Sequence, residues 1–150
     1  MLVNTARFGQ LEINEEEIIN FPHGLPGFLE MKKFIYLEHQ PGSPFRFMQS
    51  LDNPDLTFVV GDPFFFFPIY EFDLPSELIT SLQLESPKEA EVWTLVVIPE
   101  NPKEMTANLQ GPIIVNRQAR LGQQLILQED RYTTRHLLFS PSDTQEAVRG

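Results

Sequence analysis

The chain has 150 residues, of which 11 are Lys or Arg and 21 are Asp or Glu, so its formal net charge is −10. This excess of negative charge disfavours direct binding to nucleic acid, because that affinity depends on cations that displace counterions from phosphates. The absence of cysteine excludes disulfide bonds, thiolate metal sites and a cysteine nucleophile. With 41 % hydrophobic residues the composition is that of a globular protein, and the length suits one domain.

The apolar runs of the sequence are short. The longest, 64–67 and 92–98, fall far below the roughly 18 residues that a membrane-spanning helix requires. The first residues contain no basic stretch followed by an apolar segment, so no signal peptide is predicted. We therefore expect a cytoplasmic protein that does not act at a membrane.

Frequent prolines and glycines separate short segments rich in Val, Ile, Phe and Thr, a pattern typical of many short antiparallel strands. The predicted strands are 2–8 and 10–13, forming a hairpin or a bulged strand, followed by 17–21, 34–38, 45–51, 56–61, 91–98, 105–109, 113–116, 122–127 and 135–139. Segment 91–98 is apolar on both faces, which indicates a central strand buried on each side. We predict an all-β, mainly antiparallel, single-domain barrel-like fold of about ten short strands, since closing a sheet removes exposed edges.

Helix is expected in one or two short segments. The best candidate is 76–82, where Ser76 could cap the first turn and Leu78, Ile79 and Leu82 share a face. A second candidate is a single turn at 27–33. The polar segment 141–150 lacks periodicity and is predicted to be a flexible tail after a domain formed by residues 1–140.

The sequence offers no recognisable catalytic or cofactor-binding constellation. It lacks the Gly-x-Ser-x-Gly and Gly-x-x-x-x-Gly-Lys-Ser/Thr motifs, and His23, His39 and His136 lack the spacing of a zinc site. The acidic run 15–17 favours a solvated surface over an acid/base pair. We therefore predict a protein that is not an enzyme and that holds no cofactor and no metal.

The least common feature is the segment 62–70, in which four consecutive phenylalanines and Tyr70 lie between acidic residues and prolines. It could form a buried strand, an inward-folded rim loop, or a partly exposed patch that docks a partner. Neighbouring acidic residues would give such a patch a negative rim that complements a basic protein. The predicted partner-binding residues are Phe66, Phe67, Tyr70, Glu71, Asp73 and Glu77. The alternative function is a small-ligand-binding or hydrolytic β-barrel with a pocket lined by 64–67.

A second group of residues is predicted to shape loops. Its members are Pro22, Gly24, Pro26, Gly27, Asn108, Pro112 and Asn116. In the loop at 22–27, the prolines restrict the backbone while Gly24 and Gly27 supply positive φ angles. The amides of Asn108 and Asn116 flank a strand and could hold the neighbouring loops by hydrogen bonds. For all of these we favour a structural role over contact with a partner.

Three segments carry motifs of a known family. Thr-Ala-Arg-Phe-Gly at 5–9 with Leu-Glu-Ile at 11–13 matches the first hairpin of that family, and Phe-Pro-His-Gly-Leu-Pro-Gly-Phe at 21–28 is very close to its F-P-x-G-L-P-G-F signature. Thr-Ala-Asn-Leu-Gln-Gly-Pro-Ile-Ile-Val-Asn at 106–116 is similar to its T-x-N-L-x-x-P-I-x-x-N pattern. With further matches in order as far as residue 138, the chain resembles the flagellar assembly factor FliW family.

The resemblance implies a β-rich, barrel-like single domain without catalytic activity that acts in the bacterial cytoplasm. Members of this family bind flagellin, the filament subunit, and CsrA, a small basic RNA-binding translational repressor. CsrA held by FliW cannot repress flagellin translation, and free flagellin releases CsrA and restores repression. The resemblance thus implies two protein partners and no direct contact with nucleic acid. The chain departs from the family pattern at 110–111 and in the richness of its phenylalanine run.

Overall fold

A computed structural model describes residues 1–38 and 40–139. His39 and the predicted tail at 141–150 lie outside the described residues. The strands are β1 Leu2–Thr5, β2 Gly9–Glu12, β3 Ile19–Asn20, β4 Lys33–Glu38, β5 Phe45–Ser50, β6 Thr57–Gly61, β7 Ala90–Val97, β8 Thr106–Ala107, β9 Ile113–Asn116, β10 Leu121–Gln124 and β11 His136–Leu137, and the helices are α1 Pro63–Phe66 and α2 Ser76–Ser81. The prediction of an all-β fold with one or two short helices is confirmed, and the structure has two. Within the described ranges, no helix combines the length and the apolar character needed to cross a membrane.

Seven strands pair in a closed ring in the order β7, β6, β5, β4, β3, β10 and β9, which returns to β7. The ring closes on β7 because the two halves of this strand use opposite edges. Its C-terminal half pairs with β6 through Val96 and Val59, and its N-terminal half pairs with β9 through Trp93 and Ile113. The neighbours in the ring are antiparallel, except that β3 and β10 run parallel. Strands β8 and β11 extend the sheet outward from β7.

The inside of the ring is packed with apolar side chains. Side chains alternate between the two faces of a strand, so every second residue points inward. The inward residues Phe34, Met48, Val60 and Val115 are fully buried, and Trp93 packs among them. The middle of the ring is therefore a core, as expected for a ring with few strands.

Three apolar clusters cover the outside of the ring. The β1–β2 hairpin covers one side through a cluster that includes Ile13 and Ile35. Helix α2 covers a second side through Leu78 and Leu82, which contact Ile114 of β9. The segments around α1 and after β10 cover a third, whose members include Tyr70, Val96, Leu109, Leu127 and Leu138. Each cluster uses the outward side chains of the same strands that build the inner core.

Several local predictions differ from the structure. The phenylalanine run is neither a strand nor a loop but the helix α1, because Pro63 occupies its first turn and the Asp62 carboxylate accepts the N–H of Phe64. The helical turn predicted at 27–33 is wrong, because Leu25 and Phe28 form a backbone bridge around Gly27, whose φ of 83° is left-handed, and β4 already begins at Lys33. The strand predicted at 17–21 shrinks to β3, because residues 15–17 form a 3₁₀ turn.

The predicted helix at 76–82 is confirmed as α2, but its details differ. Ser76 is the first helical residue and does not act as a cap, because Pro75 occupies the capping position. Leu78 and Leu82 are buried as predicted, whereas Ile79 is 37 % exposed. The apolar face of α2 is thus narrower than the sequence pattern indicates.

Candidate partner-binding site

Helix α1 presents apolar side chains to solvent. Phe64, Phe65 and Ile69 are 44 %, 64 % and 90 % exposed, and Phe66 is half-buried beside them. We call these four residues the α1 surface. The ring of Phe66 lies 5.3 Å from the Phe45 ring centroid, which fixes the helix on the outer cluster below. Side chains on a helix point in several directions, so a helix of four residues cannot direct every phenylalanine ring into the interior, and some rings remain exposed.

The predicted acidic residues do not form one group. Glu71 and Asp73 are exposed and follow the α1 surface directly in the chain. Glu71 lies 3.5 Å from the guanidinium of Arg131, which also contacts Glu129 at 3.0 Å. Glu77 instead lies on the first turn of α2, which packs on a different outer cluster. The negative rim next to the α1 surface therefore consists of Glu71 and Asp73, partly neutralised by Arg131.

Tyr70 belongs to the interior. It is 4 % exposed, and its hydroxyl donates a hydrogen bond of 2.7 Å to the carbonyl oxygen of Leu109. Burial raises the pKa of Tyr70 well above the ordinary value of a phenol. Its ring packs edge-on against Tyr132 with 4.7 Å between centroids. A side chain held in this way does not reach a partner, so we leave Tyr70 out of the proposed interface.

A cavity of about 300 Å³ adjoins the α1 surface, lined by Phe67, Ile69, Tyr70, Leu109, Arg131, Tyr132 and His136. The Nε2 atom of His136 accepts the backbone N–H of Thr133 at 2.8 Å, and partial burial lowers the pKa of this imidazole. The histidine is therefore engaged as a neutral acceptor. Of the pocket residues that the alternative function predicts, Phe67 lines this cavity, whereas Phe64 and Phe65 point to solvent.

No sequence pattern predicts the part of this cavity that comes from residues 131–136. These residues reach α1 because β11 pairs with β8 and because the Thr133 carbonyl oxygen accepts the backbone N–H groups of Leu109 and Gln110, which together place the C-terminal segment along the outer edge of the ring. The Tyr132 hydroxyl then accepts the backbone N–H of Glu71 at 3.1 Å. Elsewhere, within residues 1–38 and 40–139, no three His, Asp or Glu side chains gather in a group that could hold a metal ion.

The loop at 22–27 has a structural geometry. Gly24 has a φ of 64°, and a Cβ atom there would lie 2.4 Å from the carbonyl oxygen of Leu29. Gly27 has a φ of 83° with open space around it. Pro22 and Pro26 are exposed on either side of the buried Gly24. The loop folds back on itself through paired backbone hydrogen bonds between Leu25 and Phe28.

The residues at the two ends of β9 hold loops. The Asn116 amide is 1 % exposed and donates to the carbonyl oxygen of Leu82 at 2.8 Å, which ties β9 to the end of α2. Its oxygen accepts the backbone N–H of Gln118 at 3.0 Å. Asn108 accepts the N–H of Gly111 at 2.9 Å. The Pro112 carbonyl accepts the N–H of Leu125 at 2.8 Å, which continues the pairing of the β9–β10 hairpin.

The chain is similar to known proteins over nearly its whole length. The family described as "FliW protein" matches residues 2–138. A Desulfitobacterium hafniense (strain Y51) protein described as flagellar assembly factor FliW is 43 % identical over 150 residues, covering 100 % of this chain and 99 % of that protein. A protein of the same description from Moorella thermoacetica is 44 % identical over 143 residues, covering 95 % and 90 %. A crystal structure of the flagellar assembly factor FliW matches with a TM-score of 0.87 and 38 % identity, covering 93 % of this chain and 98 % of that chain. The chain belongs to the FliW family.

Proposed function

We propose that this chain is a cytoplasmic, non-catalytic regulator that binds flagellin and CsrA in turn. By holding CsrA it would relieve the repression of flagellin translation, and flagellin would release CsrA by binding the chain itself. The relatives described as flagellar assembly factors support a role in building the flagellum. The observation that carries the proposal of protein binding is the α1 surface, because exposed aromatic anchors concentrate binding energy at interfaces.

Charge supports a basic partner. The chain carries a net charge of −10, and Glu71 and Asp73 border the α1 surface. Complementary charge accelerates the encounter of two proteins, and added salt screens that effect. An interface with an apolar centre and a negative rim suits a small basic protein such as CsrA. We therefore propose as contacts the exposed rings of Phe64 and Phe65 together with Phe66, Phe67, Glu71 and Asp73, with Glu77 at the periphery.

The charge part of the proposal is tested by reversal. Glu71→Lys with Asp73→Lys should slow CsrA association and weaken its salt dependence in stopped-flow or biosensor measurements. Glu15→Lys with Glu16→Lys changes the net charge equally at another exposed acidic segment. This control should keep most of the wild-type rate. Equal effects of the two double variants would show that only net charge matters and would remove Glu71 and Asp73 from the interface.

The apolar part is tested by Phe65→Ala, which truncates a side chain that is 64 % exposed. Loss of a central aromatic anchor should weaken binding to CsrA or flagellin by roughly tenfold or more. Leu29→Ala is the matched control, since Leu29 is 66 % exposed but lies outside the α1 surface. Unchanged affinity of Phe65→Ala for both partners would contradict the assignment of this surface.

Partner exchange is tested by competition. If flagellin releases CsrA, each partner must lower the affinity of the chain for the other, whether through overlapping or coupled sites. Titration of flagellin into a preformed complex with CsrA should release CsrA, and the reverse titration should release flagellin. A ternary complex that forms with undiminished affinity would contradict the proposed exchange.

A further inference from the structure

One end of the ring collects polar side chains that point inward. Strand β4 ends here, and strands β5, β7 and β10 begin here, so residues from distant parts of the chain come together. Side chains alternate between the two faces of a strand, so the strands that point Phe34, Met48 and Val115 into the core also point polar residues inward at this end of the ring. We call this group the polar mouth; its members are Glu17, Tyr36, Glu38, Arg46, Glu91, Trp93 and Arg120.

The polar mouth surrounds a cavity of about 260 Å³, lined by Glu17, Tyr36, Glu38, Arg46 and Arg120. The Arg46 guanidinium lies 5.5 Å from the Tyr36 ring centroid and 4.9 Å from that of Trp93. Arg120 donates a hydrogen bond of 2.8 Å to the carbonyl oxygen of Glu17, which fixes it at the rim. Two guanidinium groups and two aromatic rings therefore meet within one small space.

Neighbouring charged groups affect the pKa of the Tyr36 hydroxyl. Burial and the Glu91 carboxylate raise the pKa of Tyr36, and the guanidinium groups of Arg46 and Arg120 act in the opposite direction. Glu91 and Trp93 lie two residues apart on the inward face of β7, so both face the same interior. Acidic and basic groups from two strands, β5 and β7, and from the turn before β10 thus surround the phenol of Tyr36.

The polar mouth contains buried polar atoms without hydrogen-bond partners. They are the Tyr36 hydroxyl, Glu91 Oε1, Trp93 Nε1 and Arg120 Nε, and they account for all such side-chain atoms in the described part of the chain. Trp93 is only 9 % exposed. Native proteins leave few buried polar groups unpaired, because such a group loses its hydrogen bonds to water and gains none in return. Tyr36 and Arg120 line the cavity, Trp93 contacts the lining residue Arg46, and Glu91 acts electrostatically on Tyr36. Four unpaired groups so close to one cavity indicate an arrangement that suits a bound ligand.

We propose that the polar mouth binds a small carboxylate that also carries a hydrogen-bond donor, such as an amino acid or a hydroxy acid. The guanidinium groups of Arg46 and Arg120 suit the carboxylate. The acceptor Glu91 suits the amino or hydroxyl group of the same molecule, and the Tyr36 hydroxyl can serve either group. The C-terminal residue of a polypeptide presents the same carboxylate chemistry as a free acid. This site is separate from the α1 surface and does not depend on the proposed partner exchange.

Trp93 makes the proposal directly measurable, because it is the only tryptophan in the chain. L-asparagine and L-lactate serve as probes, with acetate and ethylamine as molecules that carry only one of the two groups. At least one probe should produce a saturable change in Trp93 fluorescence with a dissociation constant of about 1 mM or lower. The one-group molecules should bind roughly tenfold more weakly. No saturable response to either probe would overturn the proposal.

Variants localise the response. Arg46→Gln and Glu91→Gln should each weaken probe binding by roughly tenfold, measured by isothermal titration calorimetry so that changes in fluorescence do not interfere. Arg7→Gln is the matched control, because the Arg7 guanidinium packs 4.7 Å from the Phe47 ring centroid and Arg7 does not line the cavity of the polar mouth. Thermal melting verifies that each variant is folded. Equal affinities of Arg46→Gln, Glu91→Gln and Arg7→Gln would contradict binding in the polar mouth.

A last comparison distinguishes a free acid from a chain terminus. Binding of the tripeptide Gly-Gly-Asn and not of its C-terminal amide would support a polypeptide terminus as the natural ligand. Binding of L-asparagine and not of the tripeptide would support a free acid. Equal binding of the tripeptide and its amide would overturn the assignment of a carboxylate.

Discussion

The two ends of the ring are built from different chemistry. At one end, which we call the sealed end, aromatic rings pack edge to face across the opening, with 5.3 Å between the ring centroids of Phe21 and Phe34 and 5.4 Å between those of Phe28 and Phe58. The loop at 22–27 brings Leu25, which is 1 % exposed, into this layer. At the other end, the polar mouth holds charged groups around an open cavity. The same seven strands thus support an apolar closure at one end and a polar opening at the other.

We expect the two ends to serve different purposes: the sealed end stabilises the fold, and the polar mouth binds the proposed ligand. The sealed end contributes apolar burial, which is the main favourable term in folding. The polar mouth contains unpaired buried groups, which oppose folding and persist only where the rest of the structure supports them. We therefore expect substitutions at the sealed end to lower the free energy of unfolding, and substitutions in the polar mouth to change binding more than stability.

The largest expected effect is that of Phe21→Ala at the sealed end. Phe21 is fully buried, and its removal should lower the free energy of unfolding by about 3–5 kcal/mol. Glu38→Gln, at an exposed position of the polar mouth, should change it by less than about 0.5 kcal/mol. Urea unfolding monitored by circular dichroism measures both values. Similar losses in the two variants would refute the proposed division between the ends.

A smaller loss is expected for Gly24→Ala in the loop of the sealed end. The new Cβ would meet the Leu29 backbone at 2.4 Å, and the left-handed φ adds strain, so we expect a loss of about 2 kcal/mol or more. Gly27→Ala shares the positive φ but has open space around it, so its cost should be about 1 kcal/mol. The difference between their urea midpoints measures the contribution of close packing alone. No difference would show that the loop adjusts freely.

Two tyrosines distinguish a paired hydroxyl from an unpaired one. Tyr70→Phe removes a buried hydrogen bond of 2.7 Å to Leu109 and should cost about 1 kcal/mol. Tyr36→Phe removes a hydroxyl of the polar mouth that has no partner in residues 1–38 and 40–139, and should leave stability unchanged or higher. Urea unfolding at neutral pH separates the two outcomes. A clear loss in Tyr36→Phe would mean that its hydroxyl already contributes to the fold.

The smallest effect appears at alkaline pH. Burial raises the pKa of both Tyr36 and Tyr70, whereas the unfolded phenols ionise near pH 10. Unfolding then releases protons, so stability should be fully present below about pH 10 and should fall as the pH rises above it. Tyr36→Phe and Tyr70→Phe should each reduce the slope of stability against pH between about pH 9 and 11. An unchanged slope in both variants would contradict the raised pKa values.

Much of the fold follows from local pattern. Segments such as 45–51 and 113–116 alternate or bury their apolar residues at the period of a strand, and turn residues separate them, so their place in a sheet was predictable. The phenylalanine run was not, because Asp62 and Pro63 override the strand propensity of phenylalanine and start a helix. The capping residue Asp62 and the proline that follows it determine that this segment is helical, which the strand propensity of phenylalanine does not predict.

The candidate sites were predictable only in part. The acidic residues beside the aromatic segment are neighbours in sequence, so a surface with Glu71 and Asp73 could be proposed from the chain alone. The polar mouth could not, because Glu17, Arg46 and Glu91 come together only through the pairing of strands that are far apart in sequence. Burial of Tyr70 was equally hidden, since its partner Leu109 lies 39 positions away.

The parallel contact between β3 and β10 also has a consequence for how the protein forms. It joins Asn20 to Leu121, and the nearby hydrogen bond from Arg120 to Glu17 spans 103 positions. The ribosome must therefore release the chain at least as far as Leu121 before the ring of strands can close. Until then the early hairpins carry unpaired backbone groups, and contacts of such long range form slowly. We expect nascent chains that end before residue 121 to remain sensitive to proteases and prone to associate, even where their segments have strong strand propensity.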